Sequence, residues 1–217
     1  MTEQQYQTIA GLSLVSRFLY QAFHQSPTAE FIDAIYQNDL IGQWPLDADN
    51  DSVEKGLELL GNKPELKPIA DDFQALFIGP DVLKAAPWAS VYLTEEQTIF
   101  GQPTLAIKAF YSQFGIEIDT GEREPEDHIG LIFTFLAHLT ELALQQEVDE
   151  NKPSPILCAL EKFLSEHVLT WAPRMLHIMR EQAETDFYRG ISFAAEGTLR
   201  QFAQLVKADY RIVKLYR

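Results

Sequence analysis

Residues 124–144 read EPEDHIGLIFTFLAHLTELAL, and this stretch decides the fold class. Proline suits the first turn of a helix and the carboxylates of Glu124, Glu126 and Asp127 suit its positive end, so the sequence predicts a helix over 126–146. From 129 to 144 the run is apolar on almost every side, yet Thr134, His138, Thr140 and Glu141 interrupt it. It falls short of the roughly 18–20 apolar residues that span a bilayer. Such a helix belongs at the centre of a protein, wrapped by others that each have one apolar face.

The sequence on either side supplies those partners. Ile9, Leu12, Val15, Leu19 and Phe23 recur at helical spacing and stop before Ser26-Pro27, which predicts an amphipathic first helix. A second is expected over 29–36, then a loop over 43–51 that carries Trp44-Pro45. Ser52 reads as the N-cap of a helix over 53–60 with Gly61 as its stop, and a further helix spans 66–76 before Gly79-Pro80. Pro103 opens a helix running to Phe114, where Gly115 can take the left-handed conformation. Helices over 154–168, 173–183 and 190–206 complete the chain, with a polar joint near 116–124 that could divide two subdomains. No strand alternation and no internal repeat is visible, so the class is all-α. The segment 79–103, with Pro80, Pro87, Trp88, Tyr92, Phe100 and Pro103, is too long and too aromatic for an idle connector.

Composition narrows the function. The chain has 217 residues, 46% hydrophobic, enough for a substantial core. Asp and Glu outnumber Lys and Arg 32 to 17, giving a net charge of -15, which disfavours nucleic acid and favours a cationic partner. Residues 1–107 hold five basic residues, Arg17, Lys55, Lys63, Lys67 and Lys84, against fifteen acidic ones, so a basic peptide is drawn to that half. The single cysteine, Cys158, excludes an intrachain disulfide and a thiolate cluster; it fits a reducing compartment and is expected in the core. The opening residues lack the basic region and apolar run of a secretory signal, which points to a cytoplasmic location.

Motifs for catalysis are absent. No glycine-rich segment runs into a Lys-Ser or Lys-Thr pair, and no Gly-x-Ser-x-Gly elbow is present. His138 and Glu141, three apart on the predicted central helix, have metal-ligand spacing, and Asp127-His128 lies one level earlier. The later helices offer only scattered carboxylates such as Glu161 and Glu166, so no metal and no cofactor is expected. Asp127-His128 can instead support the helix start or hydrogen-bond a bound backbone, and the aromatics of 87–93 suit either core packing or a peptide groove.

Leu76-Phe77-Ile78-Gly79-Pro80, Pro87-Trp88-Ala89-Ser90-Val91-Tyr92-Leu93, Phe100-Gly101 and Glu124-Pro125-Glu126-Asp127-His128-Ile129-Gly130, in this order and spacing, resemble the TorD/DmsD family of redox-enzyme maturation chaperones. Gln43-Trp44-Pro45, residues 163–171, Phe187-Tyr188-Arg189 and Val213-Lys214-Leu215-Tyr216-Arg217 extend the resemblance over nearly the whole chain, 1–217. The resemblance implies one multi-helix domain without catalysis. It implies a groove for the twin-arginine leader of a molybdopterin oxidoreductase, of the DMSO reductase type, before export by the Tat machinery. Its partners would be that signal peptide, the unfinished catalytic subunit and components of the Tat translocon, and the chain would be a monomer or a swapped dimer. Carried over, the leader-binding residues are Leu76, Phe77, Pro87, Trp88, Ser90, Tyr92, Gly101, Pro125, Glu126, Asp127 and His128, with His24 and Phe73 as further candidates. Phe73 and Asp81 stand where the family pattern has tryptophans, His24 where it has tyrosine, and Thr170 where it has proline; these departures bear on leader specificity. The alternatives are a chaperone for a trimethylamine N-oxide or nitrate reductase, or a small helical nucleotide-binding protein. Leu76, Phe77, Trp88 and Tyr92 are expected to cover the leader's apolar segment, and Glu126 and Asp127 to attract its arginines.

Overall fold

In a computed structural model, which describes residues 2–46, 50–118, 124–146 and 154–217, the described chain forms ten α-helices, and two of them run on into a π-helical turn. The helices are α1 (Glu3–His24), α2 (Ala29–Gln37), α3 (Asp51–Leu60), α4 (Leu66–Phe73), α5 (Ala89–Leu93), α6 (Gln102–Ser112), α7 (Ile129–Gln145), α8 (Pro155–Phe163), α9 (Ala172–Gln182) and α10 (Asp186–Val206). The π-helical turns, Gln74–Ile78 and Leu164–Val168, continue α4 and α8. Part of the expected joint, 119–123, lies outside the described residues. No helix among the described residues is long and apolar enough to cross a membrane.

As its sequence requires, α7 is central. Ile129, Leu131, Ile132, Phe133, Phe135, Leu136 and Leu139 are all buried. The inward stripe of α1, from Ile9 to Phe23, packs along it, and α8 lies on another side. Phe135 meets Tyr111 and Phe163 at ring-centroid distances of 4.4 and 4.8 Å, which ties α6 and α8 to the same centre. The second long helix, α10, crosses α3 and α9.

Several boundaries differ from the sequence reading, each for a local reason. Asn50, not Ser52, caps α3, because its side chain accepts the Ser52 amide while its amide group donates to the Gly197 carbonyl at 2.9 Å. Helix α10 starts at Asp186 rather than 190, since the Thr185 hydroxyl caps it by accepting from the Tyr188 amide. The irregular segment 79–103 contains α5, whose single turn was too short to show periodicity. Cys158 is exposed rather than in the core, since α8 turns Leu160 and Phe163 inward. Gly115 takes φ 68°, the left-handed conformation expected of it. The largest difference is at 124–128. The central helix begins at Ile129 with His128 as its N-cap, and the acidic run before it is extended or turned.

Candidate functional site

That acidic run is not helical because its backbone is committed elsewhere. The Ala89 amide donates to the Asp127 carbonyl at 3.2 Å and the Ile129 amide to the Pro87 carbonyl at 2.8 Å, an antiparallel bridge that pairs Trp88 with His128. Asp127 does not cap its own helix. One carboxylate oxygen accepts from the Ser90 amide at 2.7 Å, at the N-terminus of α5, and the other from the Thr104 hydroxyl of α6 at 2.8 Å. A fully buried carboxylate thus holds α5, α6 and the entry to α7 together. In this conformation it is closed off from solvent, whereas the sequence reading expects it to attract an arginine.

The exposed edge of this junction is aromatic and acidic. Trp88, half-buried, donates from its indole Nε1 to the Glu124 carboxylate at 2.6 Å. Its ring stands edge-on to His128 at 5.8 Å, His128 edge-on to His24 at 5.1 Å, and His24 stacks on Tyr20 at 5.1 Å. These four rings form a rail from α5 to the last turn of α1. Gly130 allows it: a Cβ there would lie 2.9 Å from the His24 Cβ. The Nδ1 of His128 accepts from the Gly130 amide at 3.0 Å, so the neutral ring carries its proton on Nε2. Burial, and secondarily the neighbouring His24, hold the His128 pKa well below the ordinary histidine value. The buried imidazole is therefore held in its neutral form. Glu126 projects from the same run, and Lys108 of α6 pairs with it at 2.7 Å.

The expected site residues separate into two groups. Trp88, His24 and Glu126, partly exposed, and Pro125 and His128, buried, belong to the rail or its acidic border, with the buried Pro87 and the partly exposed Gly101 on the adjoining segment. Leu76, Phe77, Ser90, Tyr92 and Phe73 are buried in this conformation. Phe77 sits on the π-helical turn among Phe23, Phe73 and Tyr188, at 5.4 to 5.8 Å, and the Tyr92 ring packs on Trp171 at 5.5 Å. These side chains belong to the hydrophobic core. The sequence reading missed Tyr20, Thr104 and Glu124. Tyr20 stands four residues before His24 on α1, a spacing that places both on one helix face. Thr104 and Glu124 carry no such signal, since their roles depend on where α6 and the 124–128 run meet α5. Of the candidate pair His138 and Glu141, Glu141 accepts from Ser13 at 3.3 Å and from Arg17 across to α1.

Residues 45–177 match the family model described as Nitrate reductase delta subunit, and the chain belongs to that family, the TorD/DmsD group of redox-enzyme maturation chaperones. Among its relatives is the Tat proofreading chaperone DmsD of Salmonella typhi, 33% identical over 199 residues, which cover 89% of this chain and 90% of that one. The chaperone protein TorD of Vibrio cholerae El Tor Inaba is 35% identical over 120 residues, covering 55% and 54% of the two chains. The fold is shared with a crystal structure of a candidate redox enzyme maturation protein from Archaeoglobus fulgidus. Its TM-score is 0.50 at 18% identity, with 90% of this chain and 94% of that chain covered.

Proposed function

We propose that this protein binds the twin-arginine leader of a molybdopterin oxidoreductase and holds the enzyme back from export until it is mature. The observation that carries this reading is the bridge between 87–90 and 125–129, which sets the half-buried Trp88 against the Glu124 carboxylate, with Glu126 on the same run. A twin-arginine leader has a basic stretch followed by an apolar one, and this edge offers the complement of each. The partly exposed rings of Trp88, His24 and Tyr20, held in line by His128, cover apolar and guanidinium faces, since aromatic faces attract both. The acidic border draws the arginines and orients the encounter. Leu76, Phe77 and Tyr92 contribute by supporting α5 from beneath. The protein acts by binding, not catalysis: among the described residues, the buried carboxylates of Asp127 and Asp72 are both spent on capping neighbouring elements. A DMSO reductase type enzyme is the client favoured by the likeness to DmsD chains, and the work is done on the cytoplasmic side, before translocation.

Calorimetric titration with a DMSO-reductase-type leader peptide tests this, with affinity expected at micromolar or tighter. Burial of a few large apolar side chains at about 25 cal/mol per Å² supplies that much after ordering costs. No heat at tens of micromolar peptide removes the reading. Trp88→Ala is expected to abolish the heat while circular dichroism stays unchanged, and an unchanged affinity removes Trp88 from the site.

A further inference from the structure

Beyond α10 the chain does not trail into solvent. Residues 207–217 run back across the face of α9 to the segment that carries the rail. The Asp209 amide donates to the Ser165 hydroxyl at 2.9 Å, and Arg211 reaches Glu166 at 3.3 Å. Between these anchors and the next, Ile212 is fully exposed and Val213 partly so. Two apolar side chains are thus held in water by attachments on either side. The last residues are then anchored again. The Tyr216 amide donates to the Tyr92 carbonyl at 2.9 Å and the Gln97 side chain to the Tyr216 carbonyl. The Arg217 guanidinium donates to the carbonyls of Leu83 and Lys84, and Arg174 donates to the Arg217 carbonyl at 3.3 Å.

Two features mark this as a binding surface rather than a mere resting place for the tail. One guanidinium nitrogen of Arg217 reaches both successive carbonyls, at Leu83 and Lys84, in a part-buried spot, and a delocalised guanidinium loses less hydration on entering such a spot than the compact ammonium of lysine. Next to it, the Tyr92 phenol is fully buried and has no hydrogen-bond partner, in a spot that the Arg174 and Arg217 charges also reach. The seated segment has a chemistry unlike the rest of the molecule: 207–217 carries Lys207, Arg211, Lys214 and Arg217 against Asp209 alone, with apolar residues between. Basic plus apolar is the chemistry of the peptide proposed for the rail one helical turn away.

We infer that the carbonyl fork at Leu83–Lys84 is an arginine subsite held in the free protein by Arg217, and that an arginine of the leader displaces this tail when it binds. The inference rests on the leader-binding reading. The leader extends past the rail along α5, pairs with the Tyr92 carbonyl in place of Tyr216, and releases 212–217 to solvent. The tail excludes weak or wrongly charged peptides because each must compete with a ligand already in place.

The test uses the full chain and its Arg217→Ala variant with a twin-arginine leader peptide and its twin-lysine counterpart, read by calorimetry and by amide hydrogen exchange. Arg217→Ala is expected to tighten the twin-arginine peptide about fivefold, by raising the fraction of protein with an open subsite. In the unmodified chain that peptide is expected to accelerate exchange of the Tyr216 amide at least about tenfold, and the twin-lysine peptide not to. Equal affinity for both proteins with Tyr216 still protected overturns the inference and leaves leader binding standing. Release of the tail together with a peptide-induced dimer in light scattering also overturns it, since the tail has then moved to a second copy. A peptide that binds neither protein removes the leader-binding reading and this inference with it.

Discussion

At the scale of single residues, Asp127 and His128 illustrate how one acidic dipeptide divides its work. Asp127 serves structure: its two oxygens satisfy the Ser90 amide and the Thr104 hydroxyl in a closed environment. Asp127→Ala leaves both donors unsatisfied and is expected to cost about 3 kcal/mol in urea denaturation, while Asp127→Asn, which retains an acceptor, costs about 1 kcal/mol. His128 serves the rail. Its folded pKa lies below the unfolded value, so on acidification the unfolded chain takes up a proton that the folded chain refuses. Stability is therefore independent of this group above about pH 6.5 and falls as pH drops from there towards the folded pKa. His128→Asn keeps an acceptor for the Gly130 amide but cannot titrate. Its denaturation midpoint should change less between pH 7 and pH 5 than that of the unmodified protein. A residue-level reading of sequence singled out both positions, but only the fold shows that the Asp127 carboxylate points inward to Ser90 and Thr104.

At the scale of elements, the existence of the longer helices followed from apolar spacing, while the single-turn α5 and the helix ends did not. Long periodic segments such as α1 and α7 are set by which side chains must leave water. The start of α7 moved from 126 to 129 because the backbone of 125–129 gains more by pairing with 87–90 than by adding a helical turn. The contact between α3 and α10 was equally hidden. Gly56 and Gly190 look like weak points of helices in sequence, but a Cβ on Gly56 would lie 2.8 Å from the Ala194 nitrogen and 3.0 Å from the Gly190 carbonyl oxygen. Gly56→Ala is therefore expected to lower stability by about 1–3 kcal/mol despite its better helix propensity, as measured by thermal denaturation, because the atoms it meets are backbone.

At the scale of the whole molecule, charge governs encounter and packing governs the site. With a net charge of -15 the protein attracts a basic peptide at a distance, so association should slow as salt is raised while dissociation changes little. Locally Lys108 opposes this by occupying Glu126. Lys108→Ala is expected to tighten an arginine-bearing leader by about twofold to fivefold in a binding titration, the range of an exposed ion pair. An unchanged affinity would show that Glu126 does not take part.

The sequence by itself determined that this chain is helical and acidic, built on a buried central helix, and of the family its ordered motifs resemble. Those properties depend on local spacing and composition, which a single chain displays directly. Only the tertiary structure decided which of the motif residues meet solvent and which lie beneath them. It also decided that Asp127 is a clamp, that Glu124 holds Trp88, and that residues 207–217 return to the segment beside Tyr92. These outcomes are set by contacts between positions far apart in the chain, where the burial of one group depends on the placement of another, and no local pattern records that.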